Sequence, residues 1–262
     1  MSNLIEKKLD TDALIATQPI KLKTAYEYLN RLSFTVSGNC IKTLELLYND
    51  AVCLFGSSTI TNVMLAKLAV HALMPKKYGG LKNSKVFILD AGNCTDVYQF
   101  VNFMKQYGLN VKKAMRKIVI CRVFTVYQLT HFLKYELLKT VDKYGTNIVV
   151  IPDLLSLFVQ QPDTDVDEVE FLIREVIEVI KTITIKSKVL LITSISLDNN
   201  SSPFHNKLAK TITEIFNKSI EIDKNKTNDK FKILLHEKQG KNYVTTRKYL
   251  SLTDEDVLTV IR

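Results

Sequence analysis

Short runs of β-branched and other apolar residues, each followed by a helix-like pattern, constrain the fold of this chain more than any other feature. The runs are AVCLF, KVFILD, KIVICRV, NIVVIPD and KVLLITS, and they are typical of strands buried on both faces. The clearest helix pattern between them spaces apolar residues along one stripe from Val166 to Ile180. Strands that alternate with helices build βαβ units, so the sequence predicts an α/β fold with a mainly parallel sheet flanked by helices.

The chain changes character after KVLLITS, where a polar loop and a short amphipathic helix precede a strand-rich C-terminal part. The runs SIEI, KFKILLHE and YVTTRKY are separated by turns of Lys, Asn and Gly, which predicts an antiparallel extension of the sheet. We expect an N-terminal arm at 1–20 and a single core domain at 21–262. Within the core, 21–50 are expected to form a linker that leads into the first buried strand.

The chain is basic, since 36 Lys and Arg residues against 27 Asp and Glu give a net charge of +9. This charge permits contact with nucleic acid or with an acidic partner, although many basic proteins bind neither. Two basic groups are each interpreted either as a solvated face or as a patch for the DNA backbone. The first comprises Lys105, Lys112, Lys113, Arg116 and Lys117. The second supplies the candidate DNA-binding residues Lys230, Lys232, Lys238, Lys241, Arg247 and Lys248.

Cysteine and histidine usage indicates a reduced protein without a metal centre. The four cysteines show no C-x-x-C spacing, and Cys53 and Cys121 lie inside strand-like runs. The four histidines are scattered, so neither a metal nor another cofactor is expected. The charged N-terminus lacks the apolar core of a secretory signal, and the apolar runs are too short to span a membrane. A cytoplasmic location is therefore expected.

The stretch CLFGSSTITNV has the outline of a phosphate-binding loop, with an apolar run, a glycine, small residues and a helix pattern. Such a loop has the form G-x-x-x-x-G-K-[ST], in which amides cradle phosphate, the lysine neutralises charge and the hydroxyl holds Mg²⁺. Thr61, Asn62 and Val63 stand at the last three fixed positions, so the glycine, the cation and the metal ligand are all missing. The predicted degenerate nucleotide-binding loop comprises Gly56, Ser57, Ser58, Thr59, Ile60, Thr61, Asn62 and Val63.

Three further strings are informative, namely LMPKKYGGLKNSKVFILDAGNC, YGLNVKKAMRKIVICRVFTVYQL and LKTAYEYLNRLSFTVSGNCIKTLELL. They resemble strings that occur in the same order in the archaeal RadA recombinases and their eukaryotic strand-exchange relatives. The resemblance covers about 20–262. The matching residues are Ser37, Gly38, Pro75, Gly79, Gly80, Leu81, Asp90 and Arg122, with Tyr127 and Gln128 at a family His-Gln pair. A counterpart of the small DNA-binding domain that precedes the core in the family is not expected in this chain. The resemblance implies a RecA-like P-loop ATPase core.

The family's catalytic positions are altered in this chain. The resemblance places Gly92 where the family has the glutamate that orients the attacking water, and Ile195 where it has a glutamine that senses the γ-phosphate. Asp153 matches the metal-associated aspartate and is either a Walker B remnant or a strand-end turn cap. A pseudo-ATPase, not an active enzyme, is the expected state. A rescue of the lost charge by Lys67 is the weaker alternative.

The family's DNA loops and polymerisation segment also have altered counterparts. The first DNA loop corresponds to the acidic stretch VQQPDTDVDEVE, which would repel a phosphate backbone, and the second, SLDNNSSPFHN, has no lysine or arginine. The Phe-x-x-Ala segment with which family members bind a neighbour corresponds to LKTAYEY, with Leu22 and Ala25 at the two anchor positions. These two residues either form a protomer interface or pack on their own helix.

Four functions are compatible with these features. The leading hypothesis is a non-catalytic RadA-like paralog that binds a RadA-type recombinase or another paralog and assists homologous recombination and repair. Direct DNA binding is an optional part of this hypothesis. The alternative is a direct nucleic-acid-binding protein that uses the C-terminal basic strands independently of recombinase and ATP. A degenerate but working ATPase, whose turnover Asp153→Ala would remove, and a RecA-type signalling relative outside recombination are the remaining hypotheses.

Overall fold

A computed structural model of the chain describes residues 30–36, 42–159, 165–197, 202–224, 231–239 and 242–252. Most of these residues belong to one eight-stranded sheet with helices on both faces, and a two-stranded hairpin lies beside it. The strands are β1 (Arg31–Val36), β2 (Lys42–Leu47), β3 (Ala51–Gly56), β4 (Val86–Asp90), β5 (Ile118–Arg122), β6 (Ile148–Ile151), β7 (Leu190–Ser196), β8 (Lys218–Lys224), β9 (Phe231–Gln239) and β10 (Asn242–Leu252).

The sheet has the strand order β10-β9-β8-β3-β7-β6-β4-β5. Its six strands from β8 to β5 are parallel to one another, and β9 and β10 add antiparallel to β8. The predicted α/β class, the mainly parallel sheet and its antiparallel C-terminal extension are therefore confirmed.

Helices cover the two faces of the sheet in two groups. The helices are α1 (Ser58–Ala72), α2 (Val97–Gln106), α3 (Val111–Met115), α4 (Val126–His131), α5 (Leu137–Tyr144), α6 (Ser156–Val159), α7 (Val166–Lys186) and α8 (Pro203–Thr213). On one face, Val52 and Leu54 of β3 pack in a core with α1, α2 and α3. Ala51 and Cys53 point to the other face, into a core with α4 to α8.

The β1–β2 hairpin occupies chain that was predicted to be a linker. Leu32, Leu44 and Leu46 are buried against α1, and the amide of Ser33 donates to the carbonyl of Gly79 at 2.8 Å. The alternating apolar residues of two such short strands are a weak signal within a polar stretch, which explains why they were missed. The hairpin extends the core on the face covered by α1.

Two helix boundaries bear on function. The sequence predicted a loop as far as Val63, whereas α1 begins at Ser58. Helices α4 and α5 are joined by a π-helical turn at Phe132–Glu136, so they form one continuous helix with a local insertion.

In the described part of the chain, no helix is both long enough and apolar enough to cross a membrane.

Candidate functional site at the carboxyl edge of the sheet

The parallel strands place their carboxyl ends along one edge, and the chain changes direction there between β3 and β7. From β3 the chain crosses to β4, three positions away on one side, whereas from β7 it crosses to β8 on the other side. In open α/β sheets, the crevice beyond such a switch point is where ligands bind. The register puts Gly56 opposite Ser196 at this point. We therefore built the candidate site from the residues around it.

The connection from β3 to α1 is too short to be a phosphate cradle. Only Ser57 separates the last residue of β3 from Ser58, the first residue of α1. The amide of Thr61 donates to the carbonyl of Ser57 at 3.0 Å, and its hydroxyl donates to the same oxygen at 3.1 Å. Residues 58–63, predicted to form a loop, are therefore the first turns of a helix, which begins directly after Ser57.

Gly56 is explained by packing between strands. Its φ is +153°, and a Cβ atom on it would lie 2.5 Å from the carbonyl oxygen of Ile222 in β8. Any other residue would force the two strands apart, because real Cβ atoms do not approach an oxygen this closely. The glycine at the first position of the predicted motif thus has a structural reason that involves no phosphate.

Asp153 follows β6 and is held by the neighbouring strand β7. Its backbone has a φ of +44°, a conformation that costs free energy for a residue with a side chain. Its amide donates to Ser194 Oγ at 2.9 Å, and its carboxylate Oδ1 accepts from the amide of Ser196 at 3.3 Å. The carboxylate therefore ties the turn after β6 to the end of β7. This contact is compatible with a strand-end turn cap, which is one of the two roles considered for Asp153.

Asp90 and Arg122 form an ion pair across the ends of β4 and β5. The carboxylate of Asp90 is fully buried and accepts from Arg122 Nε at 3.2 Å. It also accepts from the amides of Cys94 at 3.0 Å and Thr95 at 3.3 Å, while Arg122 Nη2 donates to the carbonyl of Thr95. Arg122, matched to a family arginine in sequence, thus fixes the loop after β4.

Gly92, which the resemblance places at the position of the family glutamate, is closely packed. A Cβ atom on Gly92 would lie 3.0 Å from Cβ of Asp153 and 3.2 Å from both Cys94 Sγ and Ser156 Oγ. A side chain here would require these neighbours to shift by a few tenths of an ångström, because three of them already meet at this point. The glycine is therefore matched to the packing around Asp153.

Cys94 and Asn62 meet where the predicted loop faces the strand-end turns. The thiol donates to Asn62 Oδ1 with a sulfur–oxygen distance of 3.5 Å. Burial, and then the negative charges of Asp90 and Asp153, raise the pKa of Cys94 to about 12. The thiol is therefore protonated at neutral pH and is no nucleophile.

Two serines at this edge were not identified from the sequence. The hydroxyls of Ser156 and Ser196 are buried and have no hydrogen-bond partner among the described residues. No sequence motif marks them, since serine is common at strand and helix ends. The described residues also contain no group of three or more His, Cys, Asp or Glu side chains that could share a metal ion.

Lys67 lies far from the switch point, in the interior of the core under α1. It is nine residues beyond the start of the helix, which is about 13 Å along the helix axis. Its side chain is buried, and burial lowers the pKa of Lys67 to about 8. The structure does not bring this ammonium to the carboxyl edge. Ile195, at the family glutamine position, is likewise buried in the core beneath α7 and α8.

The remaining predicted residues are only partly described. Leu22, Ala25, Lys230 and Lys241 lie outside the described residues, as does the predicted arm at 1–20. Arg247 and Lys248 lie in β10, paired with Leu235 and Leu234 of β9. Lys232 is half-buried, and the exposed Lys238 donates to the carbonyl of Glu214.

Comparison with known proteins adds no relative to this picture. No protein-family model matches the chain. No curated protein matches it in sequence.

Proposed function

We propose that the protein is a non-catalytic relative of the RadA-type recombinases that binds a recombinase protomer or another paralog and assists strand exchange and repair. Three observations support this proposal. They are the sequence strings that resemble the RadA recombinases, the parallel sheet with β3 in its middle, and the short helix-forming segment that follows β3. The protein would act through contacts with other proteins and not through ATP hydrolysis.

The observation that carries the proposal is the state of the carboxyl edge. Its two acidic side chains are engaged by the protein, Asp90 with Arg122 and Asp153 with the amide of Ser196. Only Ser57 lies between the end of β3 and the start of α1, where a phosphate-binding loop would be expected. An edge with the layout of a nucleotide site, but with no loop between β3 and α1 and with the carboxylates of Asp90 and Asp153 already bonded, supports the proposal of a pseudo-ATPase.

An exposed edge strand favours a partner that adds to the sheet. In the described chain, β5 pairs on one side only, and its residues Ile118 to Cys121 are each half-buried. Unpaired backbone groups of such a strand accept an extended segment from another chain. The protein itself would bind its partner through Leu22 and Ala25, which lie outside the described residues.

The test is direct binding to the recombinase from the same genome, measured by calorimetry with the full-length chain. We expect micromolar affinity, and we expect Leu22→Asp with Ala25→Asp to weaken it by about tenfold or more, because a buried apolar anchor is replaced by charge. A matched control is Leu14→Asp with Ala16→Asp, which makes the same chemical change in the predicted arm.

The control should bind the recombinase as well as the unchanged protein does. Absence of binding by the unchanged protein at micromolar concentrations would contradict the proposal. Equal loss in both variants would contradict the assignment of Leu22 and Ala25 as the anchor.

A further inference from the structure

The amino edge of the sheet, opposite the candidate site, carries an uncompensated positive charge. From Lys76 to Lys117 the chain has nine basic and two acidic residues, so this segment supplies seven of the nine net charges of the whole protein. One of the two acids, Asp90, is buried at the other edge and paired with Arg122. Six exposed basic residues around the starts of β4 and β5 are called here the amino-edge row, and they are Lys82, Lys85, Lys113, Arg116, Lys117 and Lys143.

Backbone pairing brings the centre of the row together. Lys85 and Lys117 directly precede β4 and β5, whose first residues Val86 and Ile118 are register partners. The amide of Val86 donates to the carbonyl of Lys117 at 2.9 Å. Neighbouring strands lie about 4.8 Å apart, so the two lysines start from adjacent positions on the same edge.

Helix α3 and the end of α5 extend the row on either side. Lys113 and Arg116 are three residues apart and Lys113 and Lys117 four apart, which places these side chains on one face of α3 and of the turn after it. The ammonium of Lys85 donates to the carbonyl of Tyr144 at 2.8 Å, which puts Lys143 beside the two strand starts. The row therefore runs continuously over three elements.

None of the six residues of the row forms an ion pair within the described chain. The exposed acid closest to the row in sequence is Asp142, which directly precedes Lys143, so most of the positive charge of the row has no counter-charge. Several basic residues elsewhere do form ion pairs, as Lys134 does with Glu175, Lys181 with Glu178 and Lys207 with Glu170. Cations held together without counter-charges repel one another, and a bound polyanion would remove this repulsion.

We propose that the amino-edge row binds the phosphate backbone of a nucleic-acid strand. Lysine and arginine side chains at close spacing neutralise successive phosphates, and they do so without reading sequence. The surroundings favour nucleic acid: among the described residues, the exposed large apolar side chains nearest to the row in sequence are Tyr78, Leu138 and Tyr144, and they form no continuous apolar stretch. A protein interface needs an apolar centre, and a membrane anchor needs apolar groups that insert, so neither fits this surface.

This inference places nucleic-acid contact at the amino edge of the sheet, opposite the candidate site, and does not use the C-terminal strands. It does not depend on the proposed binding of a recombinase, because the row is far from Leu22 and Ala25 in sequence and lies at the other edge from the switch point. The protein could lose either property and keep the other.

The experiment is fluorescence anisotropy of a labelled 30-nucleotide single strand, titrated with the full-length protein at 50 to 200 mM KCl. Six phosphate contacts predict that log K falls with log salt with a slope of about −4, at about 0.7 per contact. Replacing Lys113, Arg116 and Lys117 by glutamine should weaken binding by about tenfold or more and reduce the slope by about 2.

The matched control removes the same charge from α7 and α8 by replacing Lys181, Lys207 and Lys210 with glutamine, and it should bind almost as the unchanged protein does. Equal weakening in both variants, an unchanged slope in the first, or no binding at 50 mM KCl would overturn the proposal. Binding to vesicles with 30% phosphatidylserine but not to the oligonucleotide would overturn it in favour of a membrane surface. Binding of the recombinase by the first variant, measured in parallel, separates this proposal from the proposed function.

Discussion

The two edges of the sheet differ in how they treat charge. At the carboxyl edge, Asp90 is fully buried and bonded to Arg122, and Asp153 is bonded to the end of β7. At the amino edge, the six basic residues of the amino-edge row are exposed and form no ion pair within the described residues. A buried ion pair does lie at the starts of β3 and β8, where Asp50 and Lys218 are 2.6 Å apart, but it includes no residue of the row.

This difference separates groups that hold the fold from groups that are free to bind. Polar side chains that are buried and satisfied cost several kcal/mol to remove but offer little to a ligand. Exposed cations contribute little to the stability of the fold, yet they control the affinity for a polyanion. We therefore infer that Asp90 and Asp153 at the carboxyl edge mainly stabilise the fold, whereas the amino-edge row is available to a ligand.

The largest effect is expected for Gly56→Ala at the carboxyl edge. The added Cβ would lie 2.5 Å from the carbonyl oxygen of Ile222, so we expect a loss of about 3 kcal/mol in the free energy of unfolding. Gly108→Ala is the control, because its φ of +67° is also positive but no atom lies within 4 Å of the new Cβ. It should cost only about 1 kcal/mol, measured by urea unfolding. Equal losses would mean that crowding against β8 is not what requires Gly56.

Asp90→Ala should be nearly as destabilising. The substitution leaves two backbone amides and Arg122 Nε without their acceptor, so a loss of about 2–3 kcal/mol in unfolding free energy is expected. Asp142→Ala, an exposed acid at the amino edge, should change stability by no more than about 0.5 kcal/mol. If both variants unfold alike, the two edges do not differ as described.

A smaller, pH-dependent effect is expected at the other end of α1, where His71 donates from Nε2 to the carbonyl of Ser33 at 2.8 Å. Burial, reinforced by the charge of Lys67 and opposed by this hydrogen bond, lowers the pKa of His71 to about 4. Between this value and the ordinary pKa near 6.5, the unfolded chain binds a proton that the folded protein does not, so stability falls as the pH is lowered.

Lowering the pH from 7 to 4.5 should therefore remove about 2 kcal/mol of stability through His71 alone. His71→Gln keeps a donor for Ser33 but cannot titrate, and its stability should be flatter over this range in urea unfolding. A wild-type protein whose stability falls no more steeply than that of the variant would rule out a buried neutral His71.

The smallest effect on the fold is expected at the amino edge. Replacing Lys113, Arg116 and Lys117 by glutamine removes exposed charges with no ion-pair partner in the described chain, so the unfolding free energy should change by no more than about 0.5 kcal/mol. The same variant is expected to lose affinity for single-stranded DNA. A large loss of stability, seen as a lower Tm, would place these residues among those that hold the fold.

The sequence predicted the elements of the sheet well, because their apolar runs are long and bounded by turns. AVCLF and KVFILD became β3 and β4, and KVLLITS overlaps the first five residues of β7. The β1–β2 hairpin was missed, since its alternation is confined to a few residues on each strand. The start of α1 was also placed too late, because a family motif was used to interpret GSSTITNV as a loop.

The details of the candidate site depend on contacts between distant parts of the chain, which a pattern along the sequence does not contain. Asp153 and Gly92 were both identified, but their close approach near Ser156 follows only from the packing of two strand-end turns. The role of Gly56 depends on Ile222, a residue in a strand of the C-terminal part. The amino-edge row is likewise assembled from three separate elements, of which only α3 stood out as basic in the sequence.

The most direct test of this account is calorimetric titration of the full-length protein with Mg-ATP and with Mg-ADP at high nucleotide concentration. We predict no saturable heat with either nucleotide, because only Ser57 separates β3 from α1, which leaves no loop to cradle phosphate, and because the carboxylates of Asp90 and Asp153 are bonded within the protein. Saturable binding with micromolar affinity would contradict the account, since it would require the β3–α1 connection to hold phosphate in a different conformation.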